Sequence, residues 1–374
     1  MKFVVQVRLL PTPAQEAALA DTLRLCNEAA NLVAGIAWQT KTFRNYDLRR
    51  HTYGRLKEMG LSAQPAQHVI KKVTDAYTTV KAQAKAKLRK PLAKPVAFRA
   101  DAAQPLDDRC LSWQTAERTV SIWTTGGRMK GVRFGCSDEQ AHALAAYRKG
   151  ESDLIHRDGL WLLIATCDIP DTEVIEPDGF LGVDLGIANI ATTNDGEHHS
   201  GKHLNAVRHR NRELRRRLQA KQTKSAKRLL KARRRKEARF ARDVNHVISK
   251  QIVTEAARTG RGIALEDLQG IRERVRLRRP QRVTLHSWAF HQLGAFIAYK
   301  AARAGVAVVH VDPAYTSQGC SACGHIDKKN RPDQATFSCM SCGFAEHADV
   351  NAARNIAARG VASWAVSHAA DDAA

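Results

Sequence analysis

The chain has 374 residues, enough for two or three domains and a sizeable core. Lys and Arg total 60 against 37 Asp and Glu, a net charge of +23 that points to a polyanionic partner, nucleic acid ahead of a membrane surface. No apolar run approaches the roughly 18 residues of a spanning helix, and Gln6 and Arg8 interrupt the apolar N-terminus, which argues against a secretory signal and for a cytoplasmic location.

In chain order, residues 2–10 alternate as a strand. Thr12, Pro13 and Gln15 then supply a helix cap, a first-position proline and a capping-box partner. Leu19, Leu23, Cys26, Ala30 and Val33 recur on one helix face. A second amphipathic helix carries Val69, Val73, Tyr77 and Val80 and runs into the basic KAQAKAKLRK, 81–90. From Pro95 the period drops to two. Val120 and Ile122, then Val132 and Phe134, flank a Gly126-Gly127 turn, and Asp158-Gly159 marks a hairpin before LWLLIA. The first 175 residues thus predict a helical segment inserted in a small β unit, closed by the Pro-, Gly- and acid-rich boundary PDTEVIEPDG, 170–179.

The second half opens with FLGVDLGIAN, 180–189, where Leu181, Val183, Leu185 and Ile187 alternate as a strand. Asp184 falls in its middle, and the glycines on either side are expected to leave room for a ligand. IATT, 190–193, and an Asn194-Asp195-Gly196 turn predict two further strands. A long helical stretch fills 203–259, and GIALEDL, 262–268, reads as a buried strand. Trp288, Phe290, Leu293, Phe296 and Ile297 mark a helix ending at Gly305, followed by the strand VAVVHVD, 306–312. The tail from 367 is expected to fray.

Cys320, Cys323, Cys339 and Cys342 have the spacing of a structural zinc site, since each C-x2-C turn puts two thiolates on one side of a tetrahedral ion. His325 and His347 are spare donors, but four cysteines already fill the site. Cys26, Cys110, Cys136 and Cys167 are scattered and read as small core residues.

Three acids stand out: Asp184 on the first strand, Glu266 on a later buried strand, and Asp349 at the start of the helix in HADVNAARNI, 347–356. Taken singly they read as a paired core acid, a solvated strand end and a helix cap. Converging together without buried cations they would repel one another, unless hard divalent ions sat between them.

GVDLGI, IALEDL and CSACG…CMSCG followed by ADVNAARNI resemble the three nuclease motifs and zinc finger of the TnpB proteins. Those proteins are encoded by bacterial insertion sequences (OrfB-type) and are related to compact type V CRISPR effectors. Residues 286–324 are also very similar to that family, and the likeness runs through roughly 180–360. It implies an α/β, multidomain fold: an RNase H-like RuvC nuclease domain at 176–315 and 346–366 carrying an inserted zinc ribbon at 316–345. Before it would come a β-barrel-like wedge domain at 1–10 and 95–175, with a helical recognition domain inserted at 11–94; a tail follows at 367–374. Asp184, Glu266 and Asp349 match the catalytic triad and would bind two Mg²⁺, with Mn²⁺ as a substitute. Glu266 is preferred to Asp267 because neighbours on a strand face opposite ways.

Arg208 to Arg242 holds 17 Lys or Arg and two Glu, too few acids for intrahelical pairing, so a phosphate-binding face is expected there. Arg215, Arg216, Arg217, Lys221, Lys224, Arg233, Arg234 and Arg235 are its candidate contacts. Lys81 and Lys85 are candidates in the N-terminal half, and Arg272 and Arg276 in a second basic patch. The resemblance implies an RNA-guided DNA endonuclease of a transposable element. Its partners would be a guide RNA from the element's end and double-stranded target DNA cut beside a short motif, with no membrane. A catalytically silent zinc-containing repressor and a strand-joining transposase are the alternatives, and the oligomeric state stays open.

Overall fold

The computed structural model describes residues 2–268 and 290–369. The chain forms two compact units, Met1–Pro170 and Asp171–Ala374, each of mixed helix and strand.

The first unit begins with β1 (Lys2–Leu10), whose Val5, Val7 and Leu9 point into a core while Val4 and Gln6 face out. Three helices follow: α1 (Pro13–Thr40), α2 (Asn45–Glu58) and α3 (Ala63–Lys85). The Thr12 capping box forms in both directions, with Gln15 N–H donating to Thr12 Oγ1 and Thr12 N–H to Gln15 Oε1. The chain then returns through β2 (Gln104–Leu106), β3 (Leu111–Gln114), β4 (Thr119–Thr124), β5 (Gly127–Gly135), α4 (Asp138–Tyr147), β6 (Arg148–Arg157) and β7 (Leu160–Asp168). The seven strands are ordered β2-β6-β7-β1-β5-β4-β3 and pair antiparallel. Asp158 and Gly159, both at positive φ, make the tight turn between β6 and β7. One core lies on the sheet; a second lies among α1, α2 and α3. Sequence periodicity did not reveal α2 and α4. α2 buries only Leu48, Thr52 and Leu56 in a highly charged run, and α4 has ten residues, although its Ser137–Gln140 capping box was a usable signal.

The second unit starts with β8 (Phe180–Asp184), β9 (Asn189–Thr193) and β10 (His198–Ser200). Next come α5 (Lys202–Lys221), α6 (Lys224–Arg258), β11 (Gly262–Glu266), α7 (Phe290–Ala304) and β12 (Val308–Val311). The small hairpin β13 (Thr336–Ser338) and β14 (Ala345–His347) leads directly into α8 (Ala348–Ala369). The five-stranded sheet runs β10-β9-β8-β11-β12, antiparallel on the β10 side and parallel across β8, β11 and β12. Strand alternation sorts its two faces. Leu181, Val183, Ile263 and Leu265 join α6 and α7 in one core, whereas Phe180 and Ala264 pack with Ile356 of α8 on the other side.

Three expectations are corrected here. The strand carrying Asp184 stops at Asp184 rather than running on to Ile187, so the carboxylate sits at its end and not in its middle. The stretch 203–259 is two helices: Gln222 turns left-handed, at φ 52°, and Thr223 recaps the chain by accepting from Ala226 N–H. The last helix continues through 367–369 instead of fraying there. Trp288, assigned to the start of α7, lies outside the described residues.

Candidate active site

Asp184 and Glu266 are the last residues of two neighbouring parallel strands, with Leu265 directly opposite Val183. The two carboxylates therefore leave the sheet side by side, on strands about 4.8 Å apart, on the face covered by α8. That helix lies unusually close. A Cβ on Gly182 would sit 2.0 Å from Ala353 O, and one on Gly360 would sit 2.6 Å from Ala264 Cβ. Gly182 thus admits a helix backbone, not a phosphate, which corrects the expectation for that glycine. α8 runs against the strand direction, since Trp364 reaches Phe180 at the strand's start. Its first turn, with buried Asp349, accordingly stands over the carboxyl ends of β8 and β11.

The electrostatics register this convergence. Burial, then the charges of Glu266 and Asp349, push the Asp184 carboxyl up to about 8. Burial also raises Glu266, opposed by a hydrogen bond from Thr316.

Neighbours hold the acids, and of these the sequence had singled out His347 alone, as a spare zinc donor. Asn189 Nδ2 donates to Asp349 Oδ2 at 3.0 Å, and His347 Nδ1 accepts from Asp349 N–H at 3.2 Å. Thr316 Oγ1 donates to Glu266 Oε1 at 2.5 Å. Arg331 pairs with Asp349 Oδ1 at 3.1 Å, so the acids are not wholly without a cation, contrary to expectation. Nothing marked Arg331 among the chain's 60 basic residues. One guanidinium does not balance three carboxylates, and an all-oxygen donor set of this kind suits a hard divalent ion.

The four cysteines also come together. Cys320 and Cys342 sulfurs are 3.7 Å apart, Cys323 and Cys339 3.6 Å, and all four lie within 4.8 Å of one another. Tetrahedral zinc with bonds of about 2.3 Å requires sulfurs about 3.8 Å apart, so the cluster can hold that ion. The two C-x2-C-G turns repeat one geometry: Cys320 N–H reaches His325 O and Cys339 N–H reaches Phe344 O, each past a glycine at positive φ. Cys342 N–H donates to Cys339 Sγ and holds that thiol down at about 6. Fully buried Phe337 packs beside Cys320 and Cys339. Of the scattered cysteines, Cys26, Cys110 and Cys167 are buried and Cys136 is partly so.

The basic candidates form no single focus. Arg215, Arg216, Arg217 and Lys221 are exposed on α5, and Lys224, Arg233, Arg234 and Arg235 on α6. Arg215 pairs with Glu237 and Arg216 with Glu213. Lys81 and Lys85 are exposed at the end of α3, in the other unit. Arg272 and Arg276 lie outside the described residues.

Residues 165–270 match the OrfB_IS605 family, described as a probable transposase, and residues 290–356 match the Cas12f1-like TNB domain. The first match contains Asp184 and Glu266, the second Asp349 and all four clustered cysteines. The expected likeness to OrfB-type, or TnpB, proteins holds. The chain is 37% identical over 233 residues to the CRISPR-associated endodeoxyribonuclease Cas12f1 of Sulfoacidibacillus thermotolerans, covering 56% of this chain and 53% of that one. It is 29% identical to the putative RNA-guided DNA endonuclease InsQ of Escherichia coli K12, covering 54% of each. The chain thus spans about half the length of the curated relatives it matches. Its fold is similar to the Cas12f1 chain in a cryo-EM structure of a Cas12f1–sgRNA–target DNA complex, with TM-score 0.57 and 16% identity over 92% of this chain and 83% of that one.

Proposed function

We propose that this TnpB-like chain is an RNA-guided DNA endonuclease of a transposable element, acting in the bacterial cytoplasm. One observation carries the reading: Asp184, Glu266 and Asp349, remote in sequence, converge where two parallel strands end beneath a helix start. The names of the relatives support the substrate class. Among the described residues no helix is long and apolar enough to cross a membrane.

In this reading the second unit is an RNase H-like RuvC domain with the cysteine segment as its zinc ribbon. The first unit is a β wedge, built from β1 and the strands after Pro95, around the inserted recognition helices α1–α3. Asp184, Glu266 and Asp349 would hold two Mg²⁺ ions. Bound there, Mg²⁺ lowers the pKa of an attacking water and offsets charge on the leaving 3′ oxygen of the cut strand. Arg331 and Asn189 fix the two oxygens of Asp349, and Arg331 brings a positive charge to the edge of the site. The exposed cations of α5, α6 and α3 would bind phosphates without reading bases, leaving sequence to pairing with the guide.

Co-expression with the element's end tests this. The chain should purify with one dominant RNA of about 100 nucleotides or more, and replacing its guide segment should redirect Mg²⁺-dependent cutting to the matching DNA. Binding without cutting would favour the repressor, and joined strands the transposase. Cutting that ignores the swapped guide would remove guidance from the proposal.

A further inference from the structure

The segment between β12 and Cys320 is short, turn-rich and gripped by two asparagines of α8. Asn355 Nδ2 donates to Thr316 O at 2.9 Å and to Gly319 O at 2.8 Å. Asn351 Nδ2 donates to Gly319 O at 2.8 Å while its Oδ1 accepts from Ser321 N–H at 2.9 Å. Both asparagines belong to α8, the helix that carries Asp349. Cys320, the next residue after Gly319, belongs to the thiol cluster. Thr316 is thereby 3% exposed, with Oγ1 2.5 Å from Glu266 Oε1 and 3.1 Å from Pro313 O. A buried, β-branched side chain has little rotamer freedom, and a hydroxyl has one proton, which the shorter contact assigns to Glu266.

We infer that Thr316 is a positioning residue: its hydroxyl occupies Glu266 Oε1, so that Oε2 is the oxygen offered to a divalent ion, and α8, through Asn355 Nδ2 on Thr316 O, holds Thr316 in place to do so. The segment that leads into Cys320 is then a brace for the carboxylate site, pinned by the helix that carries Asp349. Arg331, eleven residues after Cys320, also reaches the site, pairing with Asp349 Oδ1. This rests on the reading of Asp184, Glu266 and Asp349 as metal ligands.

The full-length chain is tested with Mn²⁺ alone as probe, by electron paramagnetic resonance or calorimetry, beside zinc content by mass spectrometry. Thr316→Val keeps the shape and removes the hydroxyl; Thr316→Ser keeps the hydroxyl. Thr316→Val should retain its zinc and guide-RNA binding, yet bind Mn²⁺ about tenfold or more weakly, the usual size of an effect transmitted through a ligand's own partner. The Mg²⁺ concentration for half-maximal cleavage should rise in step, and Thr316→Ser should behave as the parent. If Asp184→Ala loses Mn²⁺ binding while Thr316→Val stays within about twofold of the parent, the inference fails and the ligand assignment stands. If Asp184→Ala binds Mn²⁺ like the parent, the ligand assignment itself falls. Zinc loss in Thr316→Val would also overturn the inference, making Thr316 a folding residue.

Discussion

The thiol cluster and the carboxylate cluster are built in opposite ways. The four sulfurs come from 320–342, and two repeated turns bring them together, the first steadied by Asn351 of α8. The three carboxylates come from 184, 266 and 349, and need a parallel strand pair and a closely packed helix before they meet. Holding zinc, the first cluster would be a folding device for its own segment. The second is a product of folding, costly without a cation. Breaking the first should cost structure; breaking the second should cost chemistry alone.

The largest expected effects are on cutting. Asp184→Ala, Glu266→Ala and Asp349→Ala should each lower the cleavage rate by on the order of 10³-fold or more, since a metal's contribution is worth several kcal/mol. Circular dichroism and nucleic-acid affinity should stay close to the parent's. Unfolding of the Asp184→Ala chain would erase the contrast between the clusters.

Cys339→Ser should do what those substitutions do not. Where zinc binding is folding free energy, the segment from 316 to 347 should lose protease resistance, and zinc should fall from one per chain towards none. Because Thr316 and Arg331 belong to that segment, Mn²⁺ affinity should fall too. The reverse should not hold: Asp184→Ala should keep its zinc.

A smaller effect separates the clusters by pH. Asp184 rises from an ordinary carboxylate value of 3.8 to about 8, so the folded, metal-free chain favours its neutral form. The sign follows from linkage: below about 4 folded and unfolded chains bind the proton alike, and the folded chain is penalised progressively as pH climbs towards 8. Thermal unfolding of the metal-free parent should therefore show a stability loss between pH 5 and pH 8 that Asp184→Asn lacks. Mg²⁺ should stabilise the parent more at pH 8 than at pH 6, because binding must displace the proton.

The smallest effect concerns the exposed cations. Lys81→Ala with Lys85→Ala should weaken guide-RNA binding a few-fold and reduce the slope of log affinity against log salt by about one for each phosphate no longer neutralised, with Mn²⁺ binding unchanged. An unchanged salt response would mean that α3 touches no phosphate.

How far each region could be read in advance follows the same division. The cysteine pattern, the Thr12 capping box, the Asp158-Gly159 turn and the alternation of β1 are local, and local geometry is what spacing encodes. The acids were visible as residue types in a strand, at a strand end and at a helix start, and the resemblance to TnpB motifs grouped them. Sequence alone did not show that β8 ends at Asp184, nor that Gly182 admits α8 rather than a ligand; the latter depends on a helix some 170 residues further along the chain. Arg331, Asn189 and Thr316 were likewise hidden, because a hydrogen bond between distant segments leaves no periodic trace. The sequence by itself determined the zinc-type turns, the charge that seeks a polyanion and the carboxylates available. Which oxygens are held, and by whom, came from the tertiary structure alone, because buried carboxylates take their neighbours from the packing of the whole unit.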